Sequence, residues 1–304
     1  MRILITGATG TIGLAVADAV RSRGDTVVAT SRDPDRGRRV LGAEAEVHAW
    51  PDPAVAPPPA EALRVDAIVH LLGEPIDQRW TEESRRRIHD SRVKGTQQLV
   101  AGLTALGAEH RPGVLVSQSA VGYYGDRGAE TLEESASAGA GWLAELVVAW
   151  EASAHAAPDG VRVVTTRTGV VLSSSGGALA KMLPFFKLGV GGPVAGGAQY
   201  VPWIHMEDVV GGLLHCVDTA AATGAANLSA PEPVTNKVLS TALGHALGRP
   251  AVLPVPGFAV ALLYGDMAQL VTAGQRAIPA RLQQLGYRFG HTDIEAALRD
   301  VLAR

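Results

Sequence analysis

R-I-L-I-T-G-A-T-G-T-I-G, residues 2–13, is the stretch on which the fold turns. A short apolar run over 2–6 reads as a buried strand, cut at Gly7. Glycines then recur as Gly10 and Gly13, a G-x-x-G-x-x-G spacing, and apolar residues over 11–23 take helical spacing, ended by Gly24. Strand, glycine loop and helix in that order form a phosphate cradle. Gly7 permits the tight turn, Gly10 lets a pyrophosphate reach the backbone, and Gly13 lets the helix pack on the sheet. The helix N-terminus then faces the phosphates. Thr9, Thr11 and Ile12 fill the same loop and join the glycines as expected dinucleotide contacts.

The next strand, 26–30, ends in Ser31-Arg32. A carboxylate here would bind a ribose 2′-hydroxyl, whereas an arginine suits a 2′-phosphate, so Ser31 and Arg32 point to NADP(H) over NAD. Asp33 follows at once and pulls the other way. Arg36, Arg38 and Arg39 add positive charge or form a solvated face.

Further on, strand and helix signals alternate. V-D-A-I-V-H-L-L at 65–72 reads as a strand, and 81–106 as one long helix with Thr81 as N-cap. Then come a strand over 112–117, a helix over 141–157 and a strand over 161–172. Such alternation predicts an α/β fold, a Rossmann-type doubly wound parallel sheet. P-D-P-A-V-A-P-P-P at 51–59 reads as a loop, and 173–202 is rich in Gly, Ser and Pro. One more helix over 205–219 and a strand over 226–230 return to the first layer. The division expected is a cofactor-binding domain over 1–172, joined by about 205–230, and a smaller C-terminal substrate lobe from 173–204 and 231–304. Leu71, Leu72, Gly73 and Glu74 end the 65–72 strand, where ligands bind in this architecture; Glu74 either binds ribose or caps the next segment. Trp50 and Pro51 border the adenine or simply pack.

Composition excludes several classes. The 304 residues are 47% hydrophobic, enough for a large core, and 27 basic against 30 acidic residues give a net charge of −3. That balance gives no support to a nucleic-acid or polybasic membrane binder. No apolar run reaches the length of a membrane span or a signal peptide, so a cytoplasmic protein is expected. The single cysteine, Cys216, rules out an internal disulfide and reads as packed core. No His, Asp or Glu spacing points to a metal, and no G-x-S-x-G points to a serine hydrolase.

Taken together, several motifs carry a resemblance. They are G-A-T-G-T-I-G (7–13), L-L-G-E-P-I, R-W-T-E-E, D-S-R-V-K-G-T, V-S-Q-S-A-V-G-Y-Y-G, W-I-H-M-E-D-V-V, P-V-T-N and G-Q-R-A-I-P-A-R-L, with the stretch G-G-A-L-A-K-M-L-P-F-F-K-L-G-V-G-G-P. Over essentially its whole length the chain resembles the extended short-chain dehydrogenases/reductases. It is most similar to their atypical, SulA-like epimerase-family branch, whose members are often named nucleoside-diphosphate-sugar epimerases by analogy. The resemblance implies a Rossmann fold, NADP(H) and oxidoreductase or epimerase chemistry on a small-molecule substrate.

It also exposes a departure. Typical relatives use a serine, a Tyr-x-x-x-Lys pair and often an asparagine. None of the five tyrosines here (Tyr123, Tyr124, Tyr200, Tyr264, Tyr287) has a lysine four residues on. With Glu151 in its usual place, Leu143 and Val147 occupy the Tyr and Lys positions, and Arg92 stands where the asparagine would. Ser119 matches the family serine, with Ser117 as second choice; it polarises a substrate oxygen or merely caps a turn. Tyr123 or Tyr124 replaces the missing acid, or packs. His205 transfers protons or braces its turn. Arg167 and Lys181 are candidates to touch an anionic group. In the enzyme reading, 203–205 and the glycine-rich loop 189–197 close the pocket. Two functions of different class remain: an oxidoreductase or epimerase acting on a carbonyl or secondary alcohol, and a non-catalytic NADP(H)-sensing scaffold. Monomer and homodimer both stay open.

Overall fold

Ile3, Leu4 and Ile5 are consecutive and all fully buried. Neighbouring strand residues point to opposite faces, so this strand must be covered on both sides. The computed structural model, which describes residues 1–303, shows how. Ile3 and Ile5 enter one hydrophobic cluster and Leu4 enters another, on the opposite face.

Seven parallel strands form the main sheet: β1 (Arg2–Thr6), β2 (Thr26–Ser31), β3 (Glu46–Ala49), β4 (Ala67–His70), β5 (Val114–Ala120), β6 (Arg162–Thr168) and β7 (Gly224–Leu228). Their spatial order is β7-β6-β5-β4-β1-β2-β3. The direction of winding reverses between β1 and β4, whose register pairs Ile5 with Val69 and Thr6 with His70. A crevice at that reversal is where ligands bind in open α/β sheets.

Helices Thr11–Ser22 and Met206–Asp218 cover one face through Val16, Val20, Val209 and Leu213. Cys216 is buried there, and loss of water pushes its thiol up to about 12. Leu99 and Leu103 of the helix Gly95–Ala105 cover the other face. A separate core joins Leu179, Leu183 and Phe186 to Leu239, Leu243 and Leu298. None of the helices among the described residues is long and apolar enough to cross a membrane.

Local expectations are refined in several places. The helix expected over 81–106 does start after Thr81, whose hydroxyl accepts from Ser84 N at 3.2 Å. It is interrupted by a π-helical turn, Asp90–Lys94, between α-helical Glu82–His89 and Gly95–Ala105. The strand read over 161–172 breaks at Gly169, where a Cβ would lie 2.1 Å from the Pro202 carbonyl oxygen. Val170–Leu172 then pairs with Trp203–His205. Within the Gly/Ser/Pro-rich stretch lies a helix, Gly177–Lys187, carrying Pro184 inside it. Its buried Leu179, Leu183 and Phe186 supply the burial that outweighs the proline. The structure adds the helix Pro34–Leu41 and strand β3; Asp33 caps the former by accepting from Arg36 N at 3.0 Å.

Candidate active site

The glycine loop joins β1 to the helix Thr11–Ser22. Gly7 has φ +67°, and a Cβ there would lie 2.7 Å from the Leu71 carbonyl oxygen. Only glycine combines that backbone with that closeness. Gly13 is tight for a different reason than expected. Its Cβ would lie 2.3 Å from Gly7 O and 2.7 Å from Ala8 Cα, so it packs the helix on its own loop rather than on the sheet. Gly10 is the N-cap, and no side chain caps this helix. Its first-turn N–H groups therefore face the cavity, which Gly10, Thr11, Ile12 and Gly13 line. An uncapped helix end beside bare glycine backbone fits a diphosphate.

The cavity, about 400 Å³, opens at the C-terminal ends of β1, β4, β5 and β6. Leu71, Leu72, Gly73 and Glu74 form its second side, and Ser119 its floor. Thr9 instead lines a neighbouring cavity with Ser173 and Met206. At the end of β2, Ser31 Oγ donates to Asp33 O at 2.8 Å and accepts from Asp33 N at 3.1 Å. Arg32 is exposed and has no ion pair among the described residues, while the Asp33 carboxylate is committed to its helix cap. Trp50 is buried and donates to Ala56 O at 2.7 Å, a packing role that takes it away from any ligand.

Ser119 lies inside β5, two residues beyond the expected strand end, and is buried. Its hydroxyl donates to Glu151 Oε1 at 2.6 Å. Glu151 is held in turn by a two-pronged ion pair: Arg167 Nε to Oε1 at 2.8 Å and Nη2 to Oε2 at 2.9 Å. Both partners are less than a tenth exposed. Arg167 is thus spent on Glu151 and does not stand free for an anion.

The two tyrosines are not brought into the cavity. Tyr124 is fully buried; its phenol accepts from Arg167 Nη1 at 3.1 Å and donates to Asn227 Oδ1 at 2.6 Å. Burial raises its pKa, the opposite of what a proton-exchanging phenolate needs. The ring of Tyr123 lies 3.4 Å beneath the Arg167 guanidinium. Nor do 189–197 and 203–205 line the cavity: Trp203 is in the separate core, and His205 caps its helix by accepting from Glu207 N at 3.2 Å. Its Nε2 lies 3.1 Å from Asp300 Oδ2, so His205 braces its turn. His205, His291 and Asp300 offer ligand atoms within 4.8 Å of one another. With His205 Nδ1 accepting the Glu207 N–H, only its Nε2 is left to face Asp300. Lys181 pairs with Asp77 at 2.7 Å.

One wall was legible only as a departure. Leu143 and Val147 line the cavity together with Leu146 and Trp150, so the positions of the missing pair are filled by an apolar surface. Beside it stands Arg92, on the π-helical turn.

Comparison with known proteins is consistent with this geometry. The model of the NAD-dependent epimerase/dehydratase family matches residues 3–228, and a domain of unknown function, DUF1731, matches 255–301. The chloroplastic SDR39U1 homolog of Arabidopsis thaliana is 35% identical over 309 residues, covering 99% of this chain and 87% of the relative. Epimerase family protein MT2273 of Mycobacterium tuberculosis is 39% identical over 299 residues, covering 97% and 96%. The crystal structure of human SDR39U1 (isoform 2) with NADPH is 33% identical, covers 100% of this chain and 99% of that one, and has a TM-score of 0.89. In sequence along its length and in the topology around its glycine loop, the chain belongs to the NAD-dependent epimerase/dehydratase family.

Proposed function

We infer that the chain is an NADP(H)-dependent oxidoreductase or epimerase of the extended short-chain dehydrogenase/reductase type, acting on a carbonyl or secondary alcohol. One observation carries this: the glycine loop with its uncapped helix end and the buried Ser119 open into the same cavity. The human relative crystallised with NADPH supports the cofactor. Gly7, Gly10, Thr11, Ile12 and Gly13, with Thr9 at the margin, hold the diphosphate. Leu71, Leu72, Gly73 and Glu74 flank the ribose, Ser31 shapes the end of β2, and Arg32 meets the 2′-phosphate. The segments 173–204 and 231–304 act as the smaller lobe. A cytoplasmic setting accords with a lone, buried, unpaired thiol.

When bound, the cofactor supplies or receives a hydride. The chain's residues then handle the oxygen and its proton. Ser119 Oγ hydrogen-bonds the reacting oxygen. With its own proton directed at Glu151, Ser119 Oγ accepts the hydrogen bond of a substrate hydroxyl and so orients the carbon that exchanges the hydride. Arg167 keeps Glu151 aimed at Ser119. Tyr123 and Tyr124 enter this mechanism only by packing and hydrogen bonding around Arg167.

The test is NADPH consumption by the full-length protein over a panel of aldehydes, ketones and keto-sugar nucleotides, with Ser119→Ala alongside. The variant is expected to retain NADPH binding and lose turnover by about 100-fold or more. The apolar surface of Leu143 and Val147 favours a second reading, an NADP(H) sensor without turnover. Tight NADPH binding with no consumption across the panel favours that reading.

A further inference from the structure

Arg92 is a cation with unfinished hydrogen bonding. It lines the cavity from the π-helical turn Asp90–Lys94, a wide turn of a kind that occurs mainly as short insertions, often at functional sites. Its guanidinium lies flat against Gly73, where a Cβ would come within 3.2 Å of both Cζ and Nη2. The ring of Trp150 lies 5.2 Å from Cζ. Nη1 donates to Glu74 O at 2.8 Å and, more weakly, toward Ile88 O at 3.4 Å. Nε and Nη2 have no acceptor among the described residues, and Arg92 forms no ion pair among them.

Its charged neighbours are already matched. Arg87 lies 3.6 Å from Glu74 Oε1, and Gln78 donates to the same oxygen at 3.3 Å. Asp90 holds Lys94 at 3.0 Å. Burial, partly offset by the Glu74 charge, lowers the Arg92 pKa to about 10, which leaves it protonated at neutral pH. Arg92 is half-buried, so its unshared N–H groups open to the cavity, where the oxygens of a ligand can complete them.

We propose that Arg92 anchors an anionic substrate group, a carboxylate carried on an apolar body next to the reacting carbonyl or alcohol. The proposal rests on the cofactor reading of the cavity given above. A planar fork with free Nε and Nη2 matches a carboxylate in two-pronged geometry. The diphosphate has its own cradle at the glycine loop, so Arg92 is left for the substrate. The adjoining wall of Leu143, Leu146, Val147 and Trp150 suits an apolar body and offers the hydroxyls of a sugar little but hydrocarbon and an indole. The substrate class is therefore an apolar keto or hydroxy acid rather than a sugar nucleotide.

The test uses the full-length protein saturated with NADPH, titrated calorimetrically with benzoate and with its uncharged counterpart benzamide. NADPH affinity is measured separately for each variant. Wild type is expected to bind benzoate about tenfold or more tighter than benzamide. Arg92→Met erases that preference while leaving the NADPH dissociation constant within about twofold, and Arg92→Lys keeps part of it. Circular dichroism confirms that the variants fold; if Arg92→Met does not, Arg92→Lys against wild type decides. The proposal is overturned if wild type shows no preference for benzoate, if Arg92→Met keeps the preference, or, where only Arg92→Lys folds, if that variant keeps it undiminished. Parallel loss of NADPH affinity overturns it too, by assigning Arg92 to a cofactor phosphate. Failure of wild type to bind NADPH at all overturns the cofactor reading instead, and the benzoate titration is then scored on the cofactor-free protein.

Discussion

His70 offers a quantitative test of how the sheet and the cavity wall are tied together. It is fully buried at the end of β4. Its Nδ1 lies 2.7 Å from Thr6 Oγ1 and its Nε2 3.0 Å from Thr96 Oγ1. Thr96 donates its own proton to Arg92 O at 2.6 Å, so it accepts from Nε2–H. Thr6 accepts from Leu71 N at 3.1 Å and donates to Nδ1. The neutral ring satisfies every partner, and a second proton would meet a donor. Burial accordingly lowers the His70 pKa from 6.5 to about 4. A histidine held neutral contributes its full stability above the unfolded value, and that contribution falls as pH drops from about 6.5 toward 4, where the unfolded chain binds the extra proton. With those two pKa values the loss between about pH 7.5 and pH 4.5 is about 2–3 kcal/mol. The assay is urea unfolding of wild type and His70→Gln at several pH values across that range. The variant is less stable at neutral pH, and its gap to wild type narrows by about 2–3 kcal/mol on acidification. Subtracting the two curves removes the carboxylates common to both. A gap that stays constant across the range would refute the buried neutral ring.

Other perturbations follow from the same geometry. Glu151→Ala strands the Arg167 cation in the interior and is expected to lower stability by about 3–5 kcal/mol in denaturant unfolding. Adding Arg167→Met to it recovers part of the loss, whereas strictly additive losses would show that the two groups are not coupled. Arg32→Ala weakens NADPH by about 1.5–3 kcal/mol and NADH hardly at all, as read by fluorescence titration; equal losses would remove the 2′-phosphate from Arg32. Gly13→Ala pushes a Cβ into Gly7 O, so stability falls by about 1–3 kcal/mol and NADPH affinity falls with it. An unchanged midpoint and affinity would mean that the loop yields freely.

What could be read beforehand was what depends on neighbours in sequence. The glycine loop is legible because its turn, its helix start and its strand are contiguous. The strand end carrying Ser119 was also legible, short by a few residues. Partners distant in sequence were not. Glu151 sits in W-E-A-S, which reads as an ordinary helix, and only folding brings it to Ser119, 32 residues away, and to Arg167. Tyr123 and Tyr124 read equally as a replacement acid or as packing residues, and only the fold decides between the two. The turn Val121–Tyr124 in fact buries Tyr124 in a cluster with Leu132 and Ala277, and Asn227 comes from β7. In the sequence Arg92 stands out only as an arginine in place of an asparagine; its unshared N–H groups depend on how Gly73 and Trp150 pack around it.

The second core has a consequence for synthesis. It is stitched from chain segments on both sides of β7, so Leu179, Leu183 and Phe186 leave the ribosome well before Leu239, Leu243 and Leu298. At about 5–20 residues per second, the roughly 120 residues separating Leu179 from Leu298 take some 6–24 s to make. Once β7 has emerged, the nascent chain has every strand of its sheet within reach, while the helix Gly177–Lys187 still lacks the surface of Leu239, Leu243 and Leu298. That helix is the segment a chaperone would hold. A chain ending at residue 228 would carry all seven strands of the sheet, yet lack Leu282 from the sheet's own core and leave an unsatisfied apolar flank.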